Sequence, residues 1–464
     1  MCIRDRLYAT QFKNLPIGQM EEKFADYGEV QIKQLNDRSK MYYTPNKENN
    51  VFQLVVQYGA GEREFPKLGY AAQLMNNAGI MGAYEPQELK EELSKLNATC
   101  HVTADDDNLY IIMEGYEATL PQACQLLSRQ ILMPKLDEKQ LARLKGSAMG
   151  MRQQRKDNVS ILNEALRQYM LYGEKSDYIK ELTDKEIYEL QISELTGDIN
   201  RASNYEAKVF FTGTLPFDQV YDILSKNLPL VANERPSNSP QAKDMMPVTE
   251  NTVYFLPNND AEQAQIHLYI PMQKADKKDD VLRSAFNQYF GLDFTGIVLN
   301  EIREKRSMAY TAYAFVGTQG IAGKASYLRG YIGTQNDKAN DALDVLMGLV
   351  NDMPKNPERI DNIKSYLRQA MLTSHPSFRN KAMELVDLGY RGYTDDPAKE
   401  NLPKVDALTF DDIVKFYEEN IKDKPYCISI MGNPKNIDLK RLEKFGKVVK
   451  LNERKLFNTK DALF

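Results

Sequence analysis

Met41-Tyr-Tyr-Thr-Pro-Asn-Lys-Glu-Asn-Asn-Val-Phe-Gln-Leu-Val-Val-Gln-Tyr58 reads as a strand, a Pro-Asn turn and a second strand. Val253-Tyr-Phe-Leu-Pro-Asn-Asn-Asp-Ala-Glu-Gln-Ala-Gln-Ile-His-Leu-Tyr-Ile270 takes the same reading without a gap, with Tyr254, Pro257-Asn258 and Gln265 falling on Tyr42, Pro45-Asn46 and Gln53. Two further matches follow in the same order. Leu109-Tyr-Ile-Ile-Met-Glu-Gly115 lines up with Tyr327-Leu-Arg-Gly-Tyr-Ile-Gly333, each a short strand followed by a helix-period segment closing at Met133-Pro134 or Met353-Pro354. Val209-Phe-Phe-Thr-Gly213 lines up with Ile428-Ser-Ile-Met-Gly432, apolar strands ending in glycine before a proline-containing turn and a last helix. Three matches in one order imply a duplication.

Between these strands, residues 86–95, 137–155, 279–290 and 362–372 carry apolar side chains every three to four positions and read as helices. Pro229 to Asn251, which includes Asn233-Glu-Arg-Pro-Ser-Asn-Ser-Pro240, is dense in turn formers, lacks an amphipathic period and reads as a linker. Short strands and longer helices in each half predict an α+β fold of two homologous domains, each a mostly antiparallel sheet covered on one face by helices. The expected division is a lead-in over 1–28, a first domain over 29–232, a linker over 233–251, a second domain over 252–453 and a tail over 454–464. Met1-Cys-Ile-Arg-Asp-Arg6 reads as though the chain begins inside a longer reading frame, which would place any targeting signal upstream.

Composition narrows the function classes. The 464 residues are 42% hydrophobic, enough for two or more ordinary cores. A net charge of -5, from 60 basic and 65 acidic residues, gives no overall field for nucleic acid, and neither zinc-finger spacing nor a long basic tract is present. No nucleic-acid partner is expected. No run approaches the ~18 apolar residues of a membrane span, so none is expected. Cys2, Cys100, Cys124 and Cys427 are scattered without metal-ligand or redox spacing and read as isolated thiols.

The chemistry-bearing stretch is Phe290-Gly-Leu-Asp-Phe-Thr-Gly-Ile-Val-Leu-Asn-Glu-Ile-Arg-Glu-Lys-Arg-Ser-Met-Ala-Tyr310, a glycine-bounded turn feeding an amphipathic helix that ends in a small-residue step and a tyrosine. The planar donor fork of Arg303 suits carbonyl or carboxylate oxygens, and Tyr310, seven residues on, adds a directional hydroxyl. A catalytic zinc wants about three protein ligands and a glutamate base. His101, His267 and His375 include no pair at helical spacing, and His101 beside Asp105-Asp-Asp107 reads as part of a solvated acidic turn.

The Phe290–Tyr310 stretch resembles the signature of the C-terminal-type domain of insulinase/pitrilysin zinc metallopeptidases, with Ser307 where that family often has glycine. The resemblance runs from about Glu29 to Leu451 and is best to the C-terminal half of the long, two-half bacterial enzymes. In catalytic domains of that family, Gly-Xaa-Ala-His-Xaa-Xaa-Glu-His opens the zinc helix. Here Gly69-Tyr-Ala-Ala-Gln-Leu-Met-Asn76 keeps Gly69 and Ala71 but puts Ala72 and Asn76 at the ligands and Met75 at the base, and the distal glutamate falls near Gly150 or Met151. Asn97-Ala98-Thr99 resembles the family's edge strand for extended peptides.

The resemblance implies a non-catalytic half of a zinc metalloendopeptidase. No catalytic or metal-binding residue is expected in this chain, Arg303 and Tyr310 are the expected substrate-binding residues, and the zinc is expected in a partner half or separate catalytic subunit. The implied ligand is a peptide. The alternative is an inert structural or assembly protein of the same fold. The chain is expected to be soluble, in the bacterial periplasm if an upstream region carries a signal peptide.

Overall fold

The computed structural model describes residues 21–155, 158–231, 234–292 and 295–460. Residues 1–20 of the expected lead-in, Asn233 of the linker, Asp293 and Phe294 of the glycine-bounded turn, and 461–464 of the tail lie outside those described.

In the first half the strands are β1 (Gln31–Gln34), β2 (Lys40–Pro45), β3 (Val51–Tyr58), β4 (Gly79–Ile80), β5 (Thr99–Ala104), β6 (Leu109–Tyr116), β7 (Pro134–Lys135) and β8 (Ala207–Gly213). The second half has β9 (Thr252–Pro257), β10 (Gln263–Lys274), β11 (Ala309–Thr318), β12 (Ala325–Gln335), β13 (Cys427–Gly432) and β14 (Lys447–Lys450). One six-stranded sheet runs β1-β2-β8-β3-β6-β5, and the other runs β14-β9-β13-β10-β12-β11. β4 and β7 form a separate two-stranded ribbon.

Strand order and register carry the duplication. Pro45 stands opposite Gly213 and Pro257 opposite Gly432, so the two glycine-ended strands meet their Pro-Asn partners identically. One sequence match is displaced by a residue. Val51 pairs with Tyr116 and Gln263 with Gln335, which makes Thr334 rather than Gly333 the counterpart of Gly115. β12 carries large apolar side chains on both faces, Leu328 and Ile332 inward, Tyr327 and Tyr331 outward, so its alternation cannot fix the phase that a one-residue slip would invert. The outer edge differs too: β1 is antiparallel to β2, whereas β14 is parallel to β9 and comes from the chain's far end.

The helices read from periodicity are present. Pro86–Lys95 begins on Glu85 with a capping box, and Glu138–Gln154 begins after Asp137, whose carboxylate accepts from Lys139 N. Helices Asp280–Phe290 and Ile360–Thr373 bury one stripe in the second core. These helices cover one face of each sheet, giving the α+β architecture.

Part of the other face of each sheet is covered by the opposite half. Val159–Tyr172, a first-half helix capped by Asn158, lays Leu162, Ala165, Leu166, Met170 and Leu171 against Leu256, Tyr269, Cys427 and Met431 of the second sheet. Lys381–Tyr390, a second-half helix, places Ala382, Met383, Leu385 and Val386 over Tyr42, Val55, Tyr110, Ile112 and Phe210 of the first. Each fully buried side chain of this size contributes roughly 1.5–3 kcal/mol relative to exposure, so the exchange holds the halves together.

Residues 234–251 form a strap laid on the first half. The Glu234 carboxylate accepts from Asn36 Nδ2 at 2.8 Å and Ser39 Oγ at 2.6 Å, and Met246 N donates to Leu171 O at 2.7 Å. At Gly59 a Cβ would lie 2.0 Å from Ser237 Oγ, so the strap's close approach requires glycine there.

Candidate functional site

The Arg303 and Tyr310 segment is less regular than the amphipathic helix expected from its sequence. Ile297–Leu299 is α-helical, but Asn300–Glu304 widens to a π-turn in which Lys305 N donates to Asn300 O at 3.0 Å. Gly291 brings this element against β11. Its carbonyl accepts from Ala314 N at 3.1 Å, and a Cβ would meet Ala314 N and Val298 Cβ at 3.0 Å. Ile302 is fully buried and anchors the turn, which directs its neighbour Arg303 outward.

The chain then reverses through Ser307, whose φ of +51° lies in the left-handed region. Ser307 N donates to Arg303 O at 2.9 Å and Met308 N to Ile302 O at 3.0 Å, fixing the reversal. Serine rather than glycine stands here, yet the glycine-like conformation is kept, at a cost of about 1–2 kcal/mol for an L-residue. Ser307→Val, which adds β-branching at positive φ, is expected to lower stability to urea by about 1–2 kcal/mol. Ser307→Gly should match or exceed wild type, and a clear loss in that variant would remove the strain argument.

A register shift between Ala309 and Thr311 makes Tyr310 the extra residue of a β-bulge at the start of edge strand β11. Bulges re-aim side chains, and Tyr310 is 79% exposed. The Arg303 guanidinium carbon lies 5.0 Å from the Tyr310 ring centroid, within cation–π range. Structure therefore brings together the two residues that sequence singled out. Of the three cations in the segment, Lys305 and Arg306 each bind Glu301 at 2.5 Å, and those bonds hold its carboxyl below the usual glutamate range. Among the described residues Arg303 has one ion pair, a partly exposed contact to Glu304 at 3.4 Å, a type of pair worth about 0–1 kcal/mol. It is the cation of this turn most available to a ligand.

The first-half segment that resembles the zinc helix has different chemistry. Helix Leu68–Met75 buries Ala72 and Met75, neither of which offers a hard ligand or a proton acceptor. Asn76 is committed elsewhere: its Nδ2 donates to Val102 O at 2.9 Å and its Oδ1 accepts from Val102 N at 2.7 Å. Met151 is exposed on helix Glu138–Gln154. The donor set does not fit zinc, and among the described residues no group of three or more His, Cys, Asp or Glu side chains could hold a metal ion.

The Asn76 clamp closes edge strand β5 at Val102, just beyond Asn97-Ala98-Thr99. Sequence reasoning missed its twin in the second half. Asn287 Nδ2 donates to Val316 O at 3.0 Å and Oδ1 accepts from Val316 N at 2.6 Å, closing β11 in the same way. An asparagine in a helix's last turn reads as an ordinary cap, so nothing in the sequence pattern marks this task.

The remaining candidates are structural. Asp106 and Asp107 hold Arg63 at 3.0 and 2.7 Å, while Asp105 accepts from Asn108 N and Tyr110 Oη. His267 is buried where the two halves meet, 3.0 Å from Asn163 Oδ1 through Nε2. Burial, with Arg329 and Arg167 beside it, pulls its imidazole down to about 3.

Residues 203–367 match the family model for the peptidase M16 inactive domain. Over that stretch the chain is similar to the M16 inactive domain. The match spans Arg303 and Tyr310, while Ala72, Met75 and Asn76 lie outside it. An M16 inactive domain from Pseudomonas fluorescens superposes with a TM-score of 0.67 at 17% identity, covering 88% of this chain and 99% of that one. The periplasmic protease PqqL from Escherichia coli gives 0.65 at 12% identity, covering 93% of this chain and 51% of PqqL. The ferredoxin protease FusC, in complex with Arabidopsis ferredoxin, gives 0.69 at 13% identity, covering 90% of this chain and 47% of FusC. The chain thus spans nearly all of the P. fluorescens M16 domain and about half of the two proteases, and at these identities the likeness carries the fold alone. No curated protein sequence matches the chain. No helix among the described residues is long and apolar enough to cross a membrane.

Proposed function

We propose that this chain is the non-catalytic half of a zinc metalloendopeptidase. It closes a chamber over an extended peptide and positions that peptide, through Arg303 and Tyr310, for hydrolysis by a zinc-bearing half or subunit. The observation that carries this reading is the Arg303–Tyr310 pair at 5.0 Å, with the tyrosine displayed by a bulge and the arginine, among the described residues, lacking a buried counter-charge. A guanidinium there can donate to peptide carbonyls, and the tyrosine hydroxyl can steady a carbonyl oxygen as charge develops on it. A periplasmic setting, as in the description of PqqL, belongs to the same proposal.

The test is cleavage of a quenched fluorescent peptide by this chain, by a zinc-bearing half of the family, and by the two mixed. Activity is expected only in the mixture, and Arg303→Ala should lower it about 10²-fold, the usual effect of losing one positioning donor. Full activity from the zinc-bearing half without this chain would sink the positioning role and leave the structural or assembly reading.

A further inference from the structure

The outward face of β11 and β12, on the strand that Tyr310 opens, carries a second cation. Arg329 on β12 is half-buried among aromatic side chains. Its Nη2 donates to Tyr313 Oη at 3.5 Å, while its Nε is buried and has no hydrogen-bond partner among the described residues. Among the described residues no carboxylate pairs with it. Neighbouring Arg167 is already bound to Glu164. Around Arg329, Tyr313 lies 5.3 Å from Tyr331 and 5.9 Å from Phe315, ring centroid to ring centroid. These three aromatics are half-buried and complete a platform of apolar walls around one unsatisfied donor.

A guanidinium partly out of water and lacking a counter-ion is strained relative to one bound to a carboxylate, because it keeps the desolvation cost without the compensating bond. Two guanidinium groups and an uncharged imidazole face each other here with, among the described residues, the single carboxylate of Glu164, so the local field favours an anion. Edge pairing is not available as a docking mode: Asn287 occupies Val316, and Gly291 occupies the Ala314 N–H. The ligand must lie across the face.

We infer that Arg329 is a specificity residue that binds a carboxylate of the peptide, the peptide lying over Tyr313, Phe315 and Tyr331. This rests on the reading of Arg303 and Tyr310 given above. Arg329 pairs across the ladder with Phe315, five residues beyond Tyr310, which is about 17 Å along the strand and about five residues of extended peptide. The preferred peptide therefore carries an acidic side chain, or its terminal carboxylate, about five residues from the segment held at Arg303.

The experiment measures fluorescence anisotropy of labelled, end-blocked peptides against this chain, using one with glutamate at that spacing, its glutamine isostere, and one whose free C-terminus falls there. The glutamate peptide is expected to bind about tenfold tighter than the glutamine peptide, a difference of about 1.4 kcal/mol. Arg329→Gln should bring that ratio to one, and Arg329→Lys should keep part of it, with thermal midpoints showing that both variants are folded. Preference for the free-terminus peptide over glutamate assigns Arg329 to the chain end, and the reverse assigns it to a side chain. Arg303→Ala should weaken both peptides equally and leave the ratio intact; if it weakens neither, the reading of Arg303 fails while the ratio still decides Arg329. A ratio that survives Arg329→Gln, a ratio of one in wild type, no binding of any peptide up to about millimolar, or a dimer that Arg329→Gln dissolves would overturn the inference.

Discussion

Leu166→Asp is expected to take the two halves apart. Leu166 is fully buried on the helix Val159–Tyr172, against Leu256 and Met431 of the second sheet, so the change removes a core side chain and leaves a carboxylate without a partner at the junction. Leu→Ala at such a site costs about 2–5 kcal/mol, and an unpaired buried charge costs several more. Total stability is ordinarily about 5–15 kcal/mol, so the loss is decisive. Urea unfolding followed by tyrosine fluorescence should show the midpoint collapse, with binding of a hydrophobic dye in buffer alone and early proteolysis around the strap. Leu166→Ala should be intermediate. A midpoint change equivalent to less than about 1 kcal/mol in the aspartate variant would show that this helix does not hold the halves together.

The second large effect is a pH dependence set by His267. Folded, its imidazole titrates near 3; unfolded, near 6.5. Between those values the unfolded chain binds a proton that the folded chain refuses, so stability contributed by the neutral ring is complete above about pH 6.5 and is lost as pH falls toward 3. The loss reaches about 3 kcal/mol by pH 4, at about 1.4 kcal/mol per pH unit. The groups facing the ring are Asn163 and Arg167 from the helix, Arg329 and Tyr331 from β12, and Ser429 from β13, with no carboxylate among them to rescue the imidazolium.

Glu62 works in the opposite direction. Burial, then the charges of Asp106, Asp105 and Asp177, pushes its carboxyl up to about 7, so its contribution is lost as pH rises from 4.5 and returns on acidification. The raw stability curve is therefore flattened, and the measurement is the difference between wild type and His267→Gln. That difference should fall steadily from pH 6.5 to 4, and a flat difference would mean that the ring is solvated or charged in the folded state.

Much of this fold was legible because the ends of the paired strands obey simple rules. Pro45 and Pro257 stop their strands where Gly213 and Gly432 stop theirs, and the linear pattern shows this directly. The exchange of helices was not legible. Val159–Tyr172 buries Leu162 and Leu166 in the sheet of the opposite half, and an amphipathic stripe states that a partner exists without stating which one. At the site, the spacing from Arg303 to Tyr310 led to two side chains that do meet, but the π-turn and the bulge that make them meet depend on hydrogen bonds no periodicity encodes. Arg329 escaped notice because an arginine alternating along a strand looks like any solvated cation until its neighbours are known.

The crossed helices have a mechanical consequence. Because each sheet is clasped by an arm from the other lobe, neither lobe can swing without stripping apolar surface from both at once, a motion opposed by two cores and not by the strap alone. The pair of lobes behaves as a single rigid jaw.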